Sequence, residues 1–501
     1  MSIFNNNILA GAAAQSTTTP VYSIDQSIRF PRTSNTAGGY MSRTFGSAGD
    51  RTSWTWSCWF KLGSLNGFTP ASNLYYTFFS VDEATNDANR GTLQIIADSG
   101  VASKIQFQFL GHSTVFLKTN REFFDPSAWM HLVLVWDSDN GVASDRARLY
   151  INGERETSFA TQNNPSSGQE IGINLAAQHK IGAAKNISNG SIIYFWDGYM
   201  ADIHFLDGYS YGPEYFGEFD SNGIWIPKEY DGSYGSNGFK IDGRDSSDLG
   251  DDESGQGNDY TTSGFAAHDQ VLDTPTNNFA VLNPVDTFGR LGNGILRNGN
   301  LELKGDVGSN NYRYGRATFG FDVTDSDGWY WESSDPVVGS GIGGITEYNA
   351  QIPSSSTLAF TGARGYADNG TSGGTTGYYK LENTTYASTT LGVSTSANDV
   401  VQFCVKNGKL FIGINGTYVL SGNPATEANP LFTGLTGIFM PFAGLYDSTS
   451  YNYNTIYNFG QDGTFAGTKT AQGNTDANGF GNFFYAPPTG AKALCSRSLG
   501  A

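Results

Sequence analysis

Residues Thr52–Gly63 read TSWTWSCWFKLG, and this stretch decides the fold of the first part of the chain. Trp54, Trp56 and Cys58 occupy alternate positions of the stretch, and Thr55, Ser57 and Trp59 occupy the positions between and after them. Successive side chains of a β-strand point to opposite faces, so the alternation predicts a half-buried strand. Cys58 is then expected to be a buried, reduced thiol.

Similar short segments surround this strand on both sides. They include SIRF, NLYYTFFSVD, GTLQIIAD, KIQFQFLG, WMHLVLVWDSDNG, RLYINGE and DGYMADIHFLDG. The Asn-Gly pair in RLYINGE is typical of a tight hairpin turn. Because no helical period of useful length interrupts the series, residues 21–240 are predicted to form an antiparallel β-sandwich.

The composition supports an all-β protein of more than one domain. A chain of 501 residues with 14% aromatic and 15% charged residues is globular and too long for one ordinary core. The net charge of −18 argues against a nucleic-acid partner, which would need a basic surface. Three distant cysteines (Cys58, Cys404 and Cys495) suit neither a disulfide framework nor a CxxC metal site.

The N-terminal residues 1–20 are predicted to be an extended arm. A small apolar cluster in it is formed by Ile3, Phe4, Ile8 and Leu9. An arm this short needs another surface to bury those side chains, so it is either a docking arm or a frayed terminus. No positively charged, uninterrupted apolar signal segment is present at this end, and no stretch is long enough to span a bilayer.

The ordered motifs of the first sandwich resemble the laminin-G-like branch of the concanavalin A-like jelly rolls. In that family a tryptophan strand precedes a Trp-His-hydrophobic strand, a Tyr-x-Asn-Gly hairpin and a final Asp-Gly strand, as SWTWSCWFKLG, WMHLVLVWDSDNG, RLYINGE and DGYMADIHFLDG do here. The resemblance implies two curved sheets and, in many members, carbohydrate or protein ligands bound with calcium.

Two site chemistries follow from the residues of this part. Asp137, Asp139 and Asp145 cluster on one loop, which is either an Asx-rich turn or a calcium loop. A glucanase-like activity would need two carboxylates flanking the scissile bond, and the pattern Glu-x-Asp-x-x-Glu of the related glucanases is absent. The sequence therefore favours a non-enzymatic protein that requires no cofactor, with calcium as an optional ligand.

Residues 209–240 have a different texture, aromatic but broken by Gly, Pro and Asn. We interpret them as an irregular segment whose aromatic side chains are buried on the sandwich, with an aromatic ligand platform as the alternative. The acidic stretch SSDLGDDESGQGNDY, residues Ser246–Tyr260, fails as an EF-hand loop because Gly250 and Glu253 occupy the third and sixth positions. It is interpreted as the solvated start of an irregular connector over residues 241–285.

Residues 286–501 are predicted to form a second antiparallel β-sandwich. In DVVQFCVKNGKLFIGINGTYV two Asn-Gly turns lie eight residues apart, which indicates consecutive hairpins. The order of GWYWE, this meander, IFMPFAGLYD and YNFGQDGTF resembles the SPRY (B30.2) sandwich. That resemblance implies protein recognition through loops, without catalysis.

The whole arrangement resembles virion surface proteins of marine tailed phages. The arm NNILAGA, the first sandwich, the bridge SGQGNDY…DTPTNNFAVLNP and the YNFGQDGTF end follow their order. The resemblance implies a tail fibre, head fibre or capsid appendage, made in the host cytoplasm, joined to other virion proteins by its arm and displayed to host-surface glycan or protein. We expect a homo-oligomer without membrane insertion. The alternatives are a decoration or joining protein that stabilises the particle and a glucanase-like depolymerase.

Overall fold

The computed structural model describes residues 22–64, 73–81, 90–97, 105–111, 114–123, 125–186, 188–288, 296–305, 312–337, 341–351, 360–368, 377–446 and 453–499. The predicted docking residues Ile3, Phe4, Ile8 and Leu9 lie outside these ranges. The chain divides into two compact units between Thr276 and Asn277, here called the first and second units.

The described residues of the first unit contain twenty-two strands. They are β1 Ser27–Phe30, β2 Arg32–Ser34, β3 Ala37–Gly38, β4 Tyr40–Thr44, β5 Ser53–Leu62, β6 Leu74–Val81, β7 Gly91–Ala97, β8 Ile105–Gly111, β9 Thr114–Thr119, β10 Met130–Asp137, β11 Ala147–Ile151, β12 Glu154–Arg155, β13 Phe159–Gln162, β14 Gln178–Ile181, β15 Ala184–Lys185, β16 Ile192–Ile193, β17 Gly198–Asp207, β18 Gly217–Phe219, β19 Trp225–Pro227, β20 Phe239–Ile241, β21 Thr261–Ser263 and β22 Gln270–Val271. Three-residue 3-10 turns occur at Ala143–Asp145, Pro213–Tyr215 and Ala267–Asp269.

Two antiparallel sheets of eight strands form the first sandwich. Sheet A has the order β12-β11-β10-β5-β17-β1-β22, with β20 also paired to β17, and sheet B has the order β13-β9-β8-β7-β6-β14-β4-β21. The core lies between the sheets, where the Trp56 ring of sheet A stacks on Phe79 of sheet B at 4.4 Å. Trp54, Trp56 and Cys58 all belong to this core, as their alternation predicts.

The second face of sheet A is also buried, which the prediction of a half-buried β5 missed. The chain after β17 returns across this face, and its Phe216, Tyr230 and Tyr234 pack with Val133 and Leu206. The interpretation of residues 209–240 as buried aromatic cover is thus confirmed for these three rings. Thr55 and Ser57 lie beneath this cover and are fully buried.

The predicted connector over 241–285 is wrong for most of its length, because residues up to 276 belong to the first unit. β21 pairs with β4 of sheet B, and β22 pairs with β1 of sheet A. These strands have two or three residues each, too few for an apolar pattern, and polar side chains anchor them. Lys61 Nζ of β5 lies 2.7 Å from Asp273 Oδ2, with both side chains fully buried.

The acidic stretch is likewise an ordered loop of the first unit and not a solvated bridge. Asp252 is 9% exposed, and its carboxylate accepts hydrogen bonds from the backbone N–H groups of Lys240, Ser254 and Asn258. A carboxylate that caps three backbone donors fixes a loop without a metal ion.

The part of the second unit that the structure describes contains sixteen strands and one helical turn. They are β23 Leu282–Phe288, β24 Leu296–Arg297, β25 Glu302–Lys304, β26 Tyr312–Ala317, β27 Phe321–Asp322, β28 Trp329–Asp335, β29 Gly341–Glu347, β30 Arg364–Asp368, β31 Tyr378–Glu382, β32 Thr385–Thr390, β33 Asp399–Lys406, β34 Lys409–Ile414, β35 Thr417–Tyr418, β36 Ile438–Tyr446, β37 Asn454–Asn458, β38 Lys492–Ala493, a 3-10 turn at Val419–Ser421 and the helical turn Ser496–Leu499.

These strands form a second sandwich of two eight-stranded sheets. Sheet C has the order β23-β26-β36-β29-β30-β31-β32, with β27 on β36, and sheet D has the order β24-β25-β37-β28-β33-β34-β35. Only β38, which pairs with β28, runs parallel to its neighbour among the described strands. Across the core, Tyr366 of sheet C contacts Phe403 of sheet D at 5.9 Å.

The all-β fold class with two antiparallel sandwiches is therefore confirmed. The SPRY-like interpretation of the second sandwich stays a prediction. None of the helices in the described ranges has the length and apolar character that crossing a membrane requires.

Candidate functional site

The three candidate calcium ligands are engaged separately in the structure. Asp137 Oδ2 lies 3.8 Å from Arg148 Nη2, and Asp145 Oδ1 lies 2.7 Å from Arg155 Nη2, while Asp139 is exposed. The described part of the chain contains no group of three or more His, Cys, Asp or Glu side chains arranged to hold a metal ion. Calcium binding by this loop stays a prediction.

The outer face of sheet B carries the strongest candidate for a binding site. The inward side chains of β7, Leu93 and Ile95, belong to the core, so Thr92 and Gln94 point outward from the same strand. The neighbouring strands β6 and β8 add hydroxyl and amide groups in matching rows. We define the polar face as Thr77, Thr92, Gln94, Gln106 and Gln108.

The polar face holds hydrogen-bonding atoms that no protein group satisfies. Gln94 Nε2 donates to Gln108 Oε1 at 2.7 Å, and Gln106 Nε2 donates to the carbonyl oxygen of Thr119. Four buried oxygens remain without a hydrogen-bond partner: Thr77 Oγ1, Thr92 Oγ1, Gln94 Oε1 and Gln106 Oε1. Buried polar atoms are normally satisfied by protein or ordered water, and the five residues of the polar face are at most 8% exposed, so the four orphaned oxygens make this buried face a candidate position for bound water or a ligand.

Sheet B is also free of acidic side chains. None of its eight strands contains an Asp or Glu, in a chain whose net charge is −18. Hydrolysis of a glycosidic bond uses a pair of carboxylates that flank it. The strands of this sheet therefore offer hydrogen bonds to a ligand but cannot build that catalytic pair.

A second polar cluster lies under the cover on the other sheet. Ser57 Oγ lies 2.8 Å from His131 Nε2, and Trp225 Nε1 donates to His131 Nδ1 at 3.1 Å. Burial lowers the pKa of His131 to about 3, so the ring is neutral. Because Nδ1 accepts from Trp225, the single proton is assigned to Nε2 and points at Ser57. His131 therefore cannot take a proton from Ser57, and the pair is structural.

Next to it, Asp202 occupies a β-bulge of β17 with a left-handed φ of 48°. Its Oδ2 lies 3.1 Å from His204 Nε2, and its Oδ1 accepts from the Tyr22 hydroxyl at 3.1 Å. Burial alone would raise the pKa of Asp202, but His204 and Lys240 outweigh it and lower the pKa to about 2. The network could not be predicted from the sequence, because Tyr22 and Lys240 lie far from Asp202 along the chain.

Two buried carboxylates of the second unit, Glu332 and Asp335, have raised pKa values. Glu332 accepts hydrogen bonds from the backbone N–H groups of Phe484 and Tyr485 and from the Tyr330 hydroxyl. Burial raises the pKa of Glu332 to about 7, and that of Asp335 to about 6. Glu332 ties the chain near the C-terminal end to β28, which is a structural role.

Comparison with known proteins assigns the first sandwich to a class. Residues 35–209 match the laminin G family model described as "Concanavalin A-like lectin/glucanases superfamily". This part of the chain is therefore similar to concanavalin A-like domains, in agreement with its motifs. The match does not extend into the second unit. No curated protein matches the chain.

Solved structures with a similar fold come from several sources. A heptameric SAP-like pentraxin from Limulus polyphemus is 18% identical, over 38% of this chain and 79% of the pentraxin, with a TM-score of 0.28. The enzymatically active domain of tailspike protein 2 from bacteriophage CBA120 is 14% identical, over 39% and 28%, with a TM-score of 0.27. Domains LG4–5 of the mouse laminin alpha1 chain are 8% identical, over 86% and 83%, with a TM-score of 0.26. At such low TM-scores these likenesses add nothing to the assignment.

Proposed function

We propose that the protein is a non-enzymatic carbohydrate-recognition protein whose polar face on sheet B binds a glycan. The observation that carries the proposal is the set of four orphaned buried oxygens on the outer face of a concanavalin A-like domain. The family description names both lectins and glucanases, and the absence of Asp and Glu from sheet B favours the lectin.

The free atoms of the polar face also define the ligand chemistry. Gln94 and Gln106 each donate one amide N–H within the fold, and their carbonyl oxygens have no partner. The orientation of Gln106 is fixed because its partner is a backbone carbonyl, which can only accept. A ligand must therefore supply donors to the two glutamine oxygens, as the hydroxyl groups of a neutral sugar do, while the Thr77 and Thr92 hydroxyls can donate or accept. The proposed ligand is a neutral, hydroxyl-rich glycan.

The biological setting of the proposal is a phage virion. The motif order along the chain supports it, and so does a composition poor in charge and rich in Gly, Asn, Ser and Thr. In this setting the arm with Ile3, Phe4, Ile8 and Leu9 attaches a homo-oligomer to capsid or tail proteins. The sandwiches then meet glycan or protein on the host surface, with calcium an optional ligand of the Asp137 loop and no nucleic acid involved.

The experiment is a glycan array with the full chain and with the double variant Thr77→Val, Thr92→Val. Valine keeps the shape of threonine and removes two orphaned hydroxyls, so the variant should bind neutral glycans more weakly while its thermal stability is unchanged or higher. Thr276→Val is the matched control, because the Thr276 hydroxyl has a partner, the carbonyl oxygen of Ile24 at 2.6 Å. That control should lose about 1 kcal/mol of stability and keep glycan binding.

Two results would refute the proposal. One is that the wild-type chain binds no glycan on the array; the other is that it binds only anionic glycans, with equal strength in the double variant. The virion setting has its own test, in which particles that lack the protein should adsorb poorly to host cells. Normal adsorption of such particles, with the protein located inside the capsid, would refute that setting.

A further inference from the structure

Two tyrosines, the exposed Tyr215 and the partly buried Tyr211, form a parallel pair on the cover of sheet A. The rings of Tyr211 and Tyr215 have centroids 4.2 Å apart and planes 9° apart. Tyr215 remains 41% exposed, unlike the neighbouring Phe216, which is 1% exposed. We call Tyr211 and Tyr215 the tyrosine platform.

Contacts from the sheet and the cover hold the platform in place. The Thr55 hydroxyl of β5 donates to the carbonyl oxygens of Tyr209 and Tyr211, at 2.9 and 3.2 Å. Lys228 Nζ donates to the carbonyl oxygen of Glu214 at 3.0 Å, next to Tyr215. A ring pair fixed in this way loses little conformational freedom when a ligand binds to it.

The platform has a charged edge. Arg148 Nη2 donates to the carbonyl oxygen of Ser210 at 3.4 Å, between Tyr209 and Tyr211. The same guanidinium lies 3.8 Å from Asp137, and the two side chains are 20% and 22% exposed. The exposed ring of Tyr215, stacked on Tyr211, and an Arg–Asp pair bonded to the backbone next to Tyr211 together offer an apolar contact, a donor and an acceptor.

We propose that the tyrosine platform is a second carbohydrate-binding surface, which stacks on one pyranose ring of a glycan while Arg148 and Asp137 bond its hydroxyls. A sugar ring presents C–H groups on its face and hydroxyls at its edge, which matches a π surface with a polar border. Two rings offer too little apolar area for a stable protein–protein interface, which needs many more residues on each side. This surface is separate from the polar face, which lies on the other sheet.

The test uses the full-length variant Tyr215→Ala on the same array of neutral glycans, with titration calorimetry of the array ligands that bind. Binding of a subset of glycans should weaken about tenfold, because one stacked aromatic contact is lost. Phe219→Ala is the matched control, since Phe219 is 53% exposed but lies outside the pair. Both variants should keep the wild-type melting temperature, which shows that they fold.

The outcomes separate this proposal from the proposed function. The platform proposal is supported if Tyr215→Ala loses binding to glycans that the Thr77→Val, Thr92→Val variant still binds. This result supports the platform whether or not the polar face binds sugar. Binding by Tyr215→Ala equal to that of the wild type overturns it. Reduced self-association with unchanged glycan binding also overturns it, because the pair would then be a contact between copies of the chain.

Discussion

Replacing Lys61 by Met should destabilise the first unit strongly. Lys61 Nζ and Asp273 Oδ2 are 2.7 Å apart, and neither side chain is exposed. Burial lowers the pKa of Lys61, while Asp273 opposes that effect. Without Lys61 the buried Asp273 carboxylate loses its cationic partner. The Trp129 indole N–H, 2.9 Å away, still donates a hydrogen bond to it. Breaking a buried ion pair in this way costs about 3–5 kcal/mol.

Thermal unfolding followed by tryptophan fluorescence would measure this loss. Seven of the nine tryptophans lie before Asn277, so the signal reports mainly on the first unit. At about 2–4 °C per kcal/mol for a domain of this size, the melting temperature should fall by about 6–20 °C. The double variant Lys61→Met, Asp273→Leu should recover part of the loss, because it removes the stranded charge.

The control is an ion pair of equal length on the surface. Arg155 Nη2 lies 2.7 Å from Asp145 Oδ1, but the side chains are 37% and 32% exposed. Arg155→Met should therefore cost less than about 1 kcal/mol. If Lys61→Met cost no more than Arg155→Met, the chain around Asp273 would not be an integral part of the first unit and our domain boundary would be wrong.

Three further predictions concern pH, backbone and the acidic loop. The folded pKa of Asp335 is about 6, above its usual 3.8, so the free energy of unfolding of the second unit should fall by up to about 3 kcal/mol as the pH rises from 4 through 6. Chemical denaturation across that range should show a smaller fall in Asp335→Asn. A pH dependence in Asp335→Asn equal to that of the wild type would contradict the assignment. Gly235→Ala should lower the stability of the first unit by at least about 2 kcal/mol, because its φ is +75° and the new Cβ would lie 2.1 Å from the Asp207 carbonyl oxygen. The control Gly223→Ala, at φ +78° with nothing within 4 Å of the new Cβ, should cost about 1 kcal/mol in the same melting assay. Equal losses would show that the clash is relieved. Asp252→Ala should speed proteolysis of the loop at residues 245–260 several-fold relative to Asp251→Ala, because three backbone N–H donors lose their acceptor. Equal cleavage rates in the two variants would mean that Asp252 does not hold the loop.

Local patterns in the sequence predicted the regular part of the fold well. The alternation of Trp54 and Trp56 with polar residues correctly identified the core face of β5. The Asn-Gly pairs at Asn407 and Asn415 form the expected tight turns, with φ values of 48° and 49° at the asparagines. Such features depend only on near neighbours in the chain, so they can be predicted without tertiary information.

Features that depend on distant residues could not be predicted. Nothing near Asp273 in the sequence indicates its partner Lys61, so the last strands of the first unit were assigned to a connector. The polar face needs Thr77, Gln94 and Gln108 to be placed side by side by the pairing of β6, β7 and β8.

The most direct test of carbohydrate recognition by the polar face is a crystal structure of the full chain with a neutral oligosaccharide selected on the array. We predict sugar hydroxyls within hydrogen-bonding distance of Gln94 Oε1 and Gln106 Oε1, with Thr77 and Thr92 bonded to the same ligand. An oligosaccharide bound at another site, with those four oxygens still unpartnered or satisfied by water alone, would contradict the account.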